Sequence, residues 1–184
     1  MRVIAGSQKG RTLIAPRGLA TRPTPGRVRE ALFSMLGDEV QGARVLDLFA
    51  GTGSLGIEAL SRGAAAACFV EKAPAAVAAL RRNLAVVKQE RARLLAMPAE
   101  RAVVLLAREQ FAADLVLLDP PYQSELAVWA LDAIVEHRLL AEGAWVVLEH
   151  SGRTAPPPAP SRLNLARSRR FGDVGLCIYR CEKG

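Results

Sequence analysis

The chain has 184 residues, a formal net charge of +7 and 51% hydrophobic residues, enough apolar content for one domain with its own core. A charged fraction of 23% excludes an intrinsically disordered chain, and no window reaches the roughly 18 unbroken apolar residues of a spanning helix. The first ten residues have no apolar h-region and the three cysteines suggest no disulfide scaffold, so a reducing cytoplasm and no membrane association are expected.

In chain order, residues 2–5 and 11–15 read as a small hairpin across Gly6 to Gly10. Pro25 then opens a helix, with Thr24 as its N-cap and Val28, Ala31, Leu32, Met35 and Leu36 turned inward. Residues 1–41 are read as a basic hairpin-and-helix appendage, and 42–184 as the main domain. Within that domain strands are expected at 44–50, 66–71, 92–97, 114–119 and 144–149. Helices are expected at 54–62, 74–86, 99–108 and 125–137. This alternation predicts a mostly parallel, doubly wound sheet with helices on both faces. Residues 151–160 hold Gly152 and four prolines and read as a loop. Strands at 161–171 and 174–179, joined by Gly172-Asp173, add an antiparallel edge hairpin and bring the expected sheet to seven strands.

The charge is unevenly spread. Residues 1–30 carry seven basic groups against one acidic, residues 31–150 carry 11 against 15, and residues 151–184 carry seven against two. Two basic ends around an acidic middle suit a polyanionic partner gripped by the ends.

Two motifs carry chemistry. Gly51-Thr-Gly53-Ser-Leu-Gly56 lies between the first strand and helix of the main domain, where glycines permit a tight turn and close backbone approach to a ligand. Glu71 ends the next strand, 20 residues after Gly51, and its carboxylate can accept both hydroxyls of a ribose. An adenosine-type ligand is therefore expected at this edge. Asp47, just before the loop, is a poor neighbour for a pyrophosphate but a good acceptor for an ammonium, which favours S-adenosylmethionine over a dinucleotide. The second motif is Asp119-Pro120-Pro121-Tyr122 at the end of the fourth strand. Its prolines fix φ and remove two donors. The Asp119 carboxylate and the Pro120 carbonyl can each accept one N–H of an exocyclic amine, aiming the nitrogen lone pair, while Tyr122 can stack on the base.

These motifs resemble those of the class I S-adenosylmethionine-dependent methyltransferases that modify exocyclic amines. Within them the chain is most similar to small bacterial enzymes that methylate N2 of a guanine in 16S ribosomal RNA. The likeness also runs through Arg2-Val-Ile-Ala-Gly6, Gly10-Arg11, Arg22-Pro23-Thr24, Arg27 to Phe33, Leu55 to Gly63 and Asn83-Leu84. It implies a Rossmann-like methyltransferase fold and a donor site drawn from Thr24, Asp47, Phe49, Gly51, Gly53, Glu71 and Ala99. It implies that Asp119 to Tyr122 face the guanine and that the Arg22-Pro-Thr24 segment covers the site. The basic front, with Arg2, Lys9, Arg11, Arg17 and Arg22, would touch RNA. Pro98 has no N–H to offer the adenine, which leaves that contact to the backbone of Ala99. The implied donor is S-adenosylmethionine, leaving as S-adenosylhomocysteine without a metal. The implied partner is 16S RNA in an assembled or partly assembled small subunit, and a monomer is expected.

Arg167, Arg169 and Arg170 are further RNA candidates; His137, His150, Trp129, Trp145 and the cysteines read as structural. Two other functions share some of these features. An adenine-N6 DNA methyltransferase shares the tetrapeptide, but 184 residues leave little room for a target-recognition domain. A non-catalytic RNA-binding assembly factor would not need both Asp119 and Glu71.

Overall fold

A computed structural model describes residues 1–15, 24–88, 90–121 and 124–182, with only the backbone at 124. In chain order it contains α1 (Gly26–Leu36), β1 (Arg44–Asp47), α2 (Ser54–Ser61), β2 (Ala66–Val70), α3 (Pro74–Val87) and β3 (Ala92–Leu95). These are followed by α4 (Ala99–Arg108), β4 (Ala113–Leu118), α5 (Ser124–Glu136), β5 (Leu140–Ser151), β6 (Leu163–Phe171) and β7 (Val174–Cys181). The strands form one sheet in the order β3-β2-β1-β4-β5-β7-β6. β1 to β5 are parallel, β7 is antiparallel to β5, and β6 is the antiparallel edge.

Strand alternation splits the apolar residues into two cores. Val45, Leu115, Leu117, Val147 and Ile178 face α1, α2 and α3, whereas Leu46, Val116, Leu118, Leu148 and Cys177 face α4 and α5. Chain order reverses between β1 and β4, so the crevice at their carboxyl ends is a topological switch point, the usual ligand position in such sheets.

Several elements differ in detail from the sequence reading. The front hairpin forms where expected, with Arg2 opposite Thr12, Val3 N–H donating to the Arg11 carbonyl (3.0 Å) and Leu13 N–H to the Met1 carbonyl (2.8 Å), and it also leans on α2. Buried Glu58 accepts from the N–H groups of Ile4 (2.8 Å) and Ala5 (3.0 Å), and Ser61 Oγ accepts from Gln8 N–H (3.0 Å). Gly6 sits at φ +80°, and a Cβ there would lie 1.8 Å from the Ser61 carbonyl oxygen, so this contact requires glycine. Asn83 on α3 pairs with both backbone groups of Ile14 (2.7 and 3.0 Å) and donates to the Thr52 carbonyl (2.8 Å), tying the front segment to the glycine loop. Val3, Leu13, Val28, Leu32 and Phe33 belong to the same core as β1, β4 and α2.

Thr24 does not cap α1. Pro25 holds the N-cap position without a side-chain bond, and the Thr24 hydroxyl points elsewhere, as described below. Arg29 and Phe33 are buried on the inner face of α1, while Ala31 and Met35 are half-buried. β5 begins at Leu140, four residues before the expected start, and pairs with β4 across an irregular register.

Candidate functional site

Neighbouring strands β2, β1, β4 and β5 each place a carboxylate at or near their carboxyl ends: Glu71, Asp47, Asp119 and Glu149. The first two lie beside the glycine loop. Asp47 is 1% exposed, and its Oδ2 accepts from Gly56 N–H at 3.0 Å. Its Oδ1 is buried with no hydrogen-bond partner among the described residues. Burial pushes this carboxyl up to about 7; the Gly56 N–H opposes the shift and Glu71 adds to it. A buried, unmatched carboxylate oxygen is costly unless a cationic donor reaches it, and an ammonium meets that need.

The loop itself is shaped by glycine. Gly51 and Gly53 adopt φ +53° and +84°, and a Cβ on Gly53 would stand 2.4 Å from Leu80 Cδ1. Gly56 lets α2 pack on β2, since a Cβ there would stand 2.3 Å from Phe69 Cε1. Glu71 Oε2 accepts from Gly51 N–H (2.8 Å) and Oε1 from Ala73 N–H (2.7 Å), which joins the loop to the end of β2. Each oxygen retains a second lone pair for a ligand hydroxyl. Phe49 is half-buried against the α4–α5 core. Ala99 opens α4, so its N–H has no intrahelical acceptor and is free for the edge of a planar ring. These residues fit the adenosine and amino-acid parts of S-adenosylmethionine.

Asp119 and Glu149 form the other half of the row. Asp119 follows β4, with Pro120 buried and Pro121 exposed after it. Glu149 is 2% exposed on β5, on the same face as Val147 and α1. Thr24, also 2% exposed, donates its hydroxyl to Glu149 Oε2 at 2.9 Å and lies 3.4 Å from Asp119 Oδ2. The hydroxyl is within hydrogen-bond reach of both carboxylates, with Glu149 the nearer. The Asp119 carboxyl is raised well above the usual range by burial, then by the charges of Glu149 and Asp47, with the Thr24 hydroxyl opposing. The Thr24 carbonyl accepts from Arg29 Nη1 (3.5 Å), and Arg29 Nη2 donates to the Arg2 carbonyl (2.6 Å), so one buried guanidinium anchors both parts of the front segment.

The sequence reading did not single out Glu149 as a site residue. The signal was present: β5 is an apolar run closed by an acid, as are the runs ending at Asp47, Glu71 and Asp119. Arg2, Lys9 and Arg11 are exposed. Arg17, Arg22 and Tyr122 lie outside the described residues. Arg167, Arg169 and Arg170 are exposed on β6, where Arg167 donates to the Met35 carbonyl and Arg170 Nε to the Gly172 carbonyl (3.0 Å). His150 packs over Gly175 and lies 3.5 Å from Cys177 Sγ. No group of three metal-ligating side chains occurs among the described residues.

The family model described as "Conserved hypothetical protein 95" matches residues 1–180. The chain belongs to this family. A relative from Bacillus subtilis, YlbH, named as an rRNA methyltransferase, is 39% identical over 181 residues, covering 98% of each chain. Ribosomal RNA small subunit methyltransferase D of Escherichia coli strain K12 is 35% identical over 182 residues, covering 99% of this chain and 90% of the relative. The solved structure of an Escherichia coli protein named as a methyltransferase, yhhF, superposes with a TM-score of 0.88 at 32% identity, covering 100% of this chain and 99% of that one. The chain therefore has the class I methyltransferase fold.

Proposed function

We propose that this protein transfers a methyl group from S-adenosylmethionine to the exocyclic N2 amine of a guanine in 16S ribosomal RNA. The observation that carries the reading is Asp119 at the rigid Asp-Pro-Pro turn, next in the sheet to buried Asp47 with its unmatched Oδ1. The rRNA names of the 39% and 35% identical relatives support the substrate class.

When bound, S-adenosylmethionine supplies an electrophilic methyl on a sulfonium. Asp47 holds the ammonium of its methionine part, Glu71 the ribose diol and the Ala99 N–H the adenine edge, with Phe49, Gly51 and Gly53 shaping the cradle. Asp119 and the Pro120 carbonyl accept the two N–H groups of the guanine amine. Both acceptors draw the nitrogen lone pair out of the ring and aim it at the methyl. Pro121 keeps the turn rigid, and Tyr122 stacks on the base. A guanine inside folded RNA reaches this turn only after leaving its stack. Residues 1–41 present Arg2, Lys9, Arg11, Arg17 and Arg22 to the phosphates of the small subunit. The protein works as a monomer in the cytoplasm; no helix among the described residues is long and apolar enough to cross a membrane.

The test is mass analysis of nucleosides from small subunits lacking the modification, after incubation with enzyme and donor. N2-methylguanosine is the expected product. Its absence, or methyl on another base or position, overturns the assignment.

A further inference from the structure

The proposed function uses Asp119 but leaves unexplained why a fully buried carboxylate stands beside it. Glu149 is 2% exposed and comes from the neighbouring strand. Between the two lies one hydroxyl, that of Thr24, 2.9 Å from Glu149 Oε2 and 3.4 Å from Asp119 Oδ2. A hydroxyl has one proton, so it serves one carboxylate at a time. Thr24 is itself 2% exposed, and its carbonyl is held by buried Arg29. A threonine placed only to begin α1 would cap the helix, and this one does not.

We infer that Glu149 is a positioning residue for methyl transfer: from the neighbouring strand it holds the Thr24 hydroxyl beside Asp119, the carboxylate that receives the target amine. This deepens the proposed function and rests on Asp119 facing the target amine. As a carboxylate Asp119 can accept from both the Thr24 hydroxyl and the target amine; protonated, it has fewer free lone pairs and turns one O–H donor toward groups that are themselves donors.

Among the described residues, the charged groups around Asp119 are Asp47 from β1 and Glu149 from β5, with the Thr24 hydroxyl arriving from the segment before α1. Asp47 and Glu149 disfavour the Asp119 anion, whereas the Thr24 hydroxyl favours it. Two substitutions at one cluster therefore move the same titration in opposite directions. Glu149→Gln removes a like charge and keeps the shape, so Asp119 ionises at lower pH. Thr24→Val removes the donor and keeps the shape, so Asp119 ionises at higher pH. Thr24→Ser restores the donor and the wild-type titration. A role confined to packing would move neither titration in this signed way.

The experiment is carbon-13 NMR titration of carboxylate-labelled aspartate in the full chain, with Asp119 assigned by its loss in Asp119→Asn, alongside the pH profile of single-turnover methyl transfer. Glu149→Gln is expected to shift the Asp119 titration and the acidic limb of the rate down by about one pH unit, the size of a neighbouring-charge effect. Thr24→Val is expected to shift both up. Thermal unfolding of each variant reports on folding separately. An Asp119 titration that stays put in both variants, that moves the same way in both, or that is lost because Glu149→Gln no longer folds, overturns the inference. The NMR arm needs no RNA, so it stands or falls independently of which base is methylated. If Asp119→Ala still transfers methyl groups at the wild-type rate, it is the proposed function that fails.

Discussion

The donor half of the crevice and the target half are built by different means. On the donor side, Asp47 bonds Gly56 nine residues on, and Gly51 bonds Glu71 20 residues on. One strand-loop-helix-strand unit supplies nearly everything. On the target side, Thr24 meets Asp119 across 95 residues and Glu149 across 125. Three distant segments must pack before that half exists. The donor half is a local motif that any parallel βαβ unit could present, and the target half is a product of the whole sheet and of the front segment clamped onto it. A donor site that forms locally can be kept while substrate contacts change around it, which suits a fold reused with many substrates.

Substitutions can separate the two halves. The largest effect is expected from Asp119→Ala, which lowers turnover on the order of 10²–10³-fold and leaves donor affinity within about threefold in calorimetry. Equal loss of donor binding would mean that the halves are one unit. Glu71→Ala should weaken donor binding by about 1.5–3 kcal/mol, the range for a charged hydrogen bond, and calorimetry reads this directly. Part of the loss comes from freeing the Gly51 and Ala73 N–H groups, so the glycine loop should also exchange its amide hydrogens faster.

Asp47 gives a smaller, pH-dependent effect whose sign is set by its raised carboxyl, which moves from 3.8 to about 7 on folding. The folded chain then holds that proton more tightly than the unfolded chain. Its contribution to stability is complete below about pH 4 and is lost as the pH rises through about 7. An ammonium needs the anion, so donor affinity should increase as the pH rises from about 6 to about 8. Asp47→Asn should be weaker and flat over that range. The smallest effect is expected from Arg11→Ala, which touches neither half. It should lower RNA affinity modestly, reduce the salt dependence of binding by about one unit of slope and leave donor affinity unchanged.

Much of the architecture was legible in the amino-acid sequence. The strand and helix alternation, the antiparallel final hairpin and the glycine loop all appear close to their expected positions, because buried parallel strands and amphipathic helices have strong periodic signatures. The errors have physical reasons. Thr24 precedes a helix and has the chemistry of a cap, but its hydroxyl is turned toward Glu149 and Asp119, two charged acceptors for its proton, and away from the helix N–H groups that a cap oxygen would accept from. The front hairpin was legible, but not its anchoring: Glu58, Ser61 and Asn83 take up the backbone groups of Ile4, Ala5, Gln8 and Ile14 that do not pair within it. Arg29 counts only toward the net charge of the basic front in the sequence. It is buried because two carbonyls, on Thr24 and Arg2, need its donors.

By itself, the sequence determined which chemistry is available: a glycine turn, a carboxylate placed for a ribose, a carboxylate before a rigid Pro-Pro turn, and basic ends around an acidic middle. These are properties of residue type and short spacing, and they survive without a fold. Only the tertiary structure decided which carboxylates stand together. The order of strands placed Asp119 between Asp47 and Glu149, and the clamping of the front segment brought Thr24 to Asp119 and Glu149. Burial there, more than residue type, raises the Asp119 and Asp47 carboxyls, because desolvation depends on what packs around a charge and no local spacing encodes it.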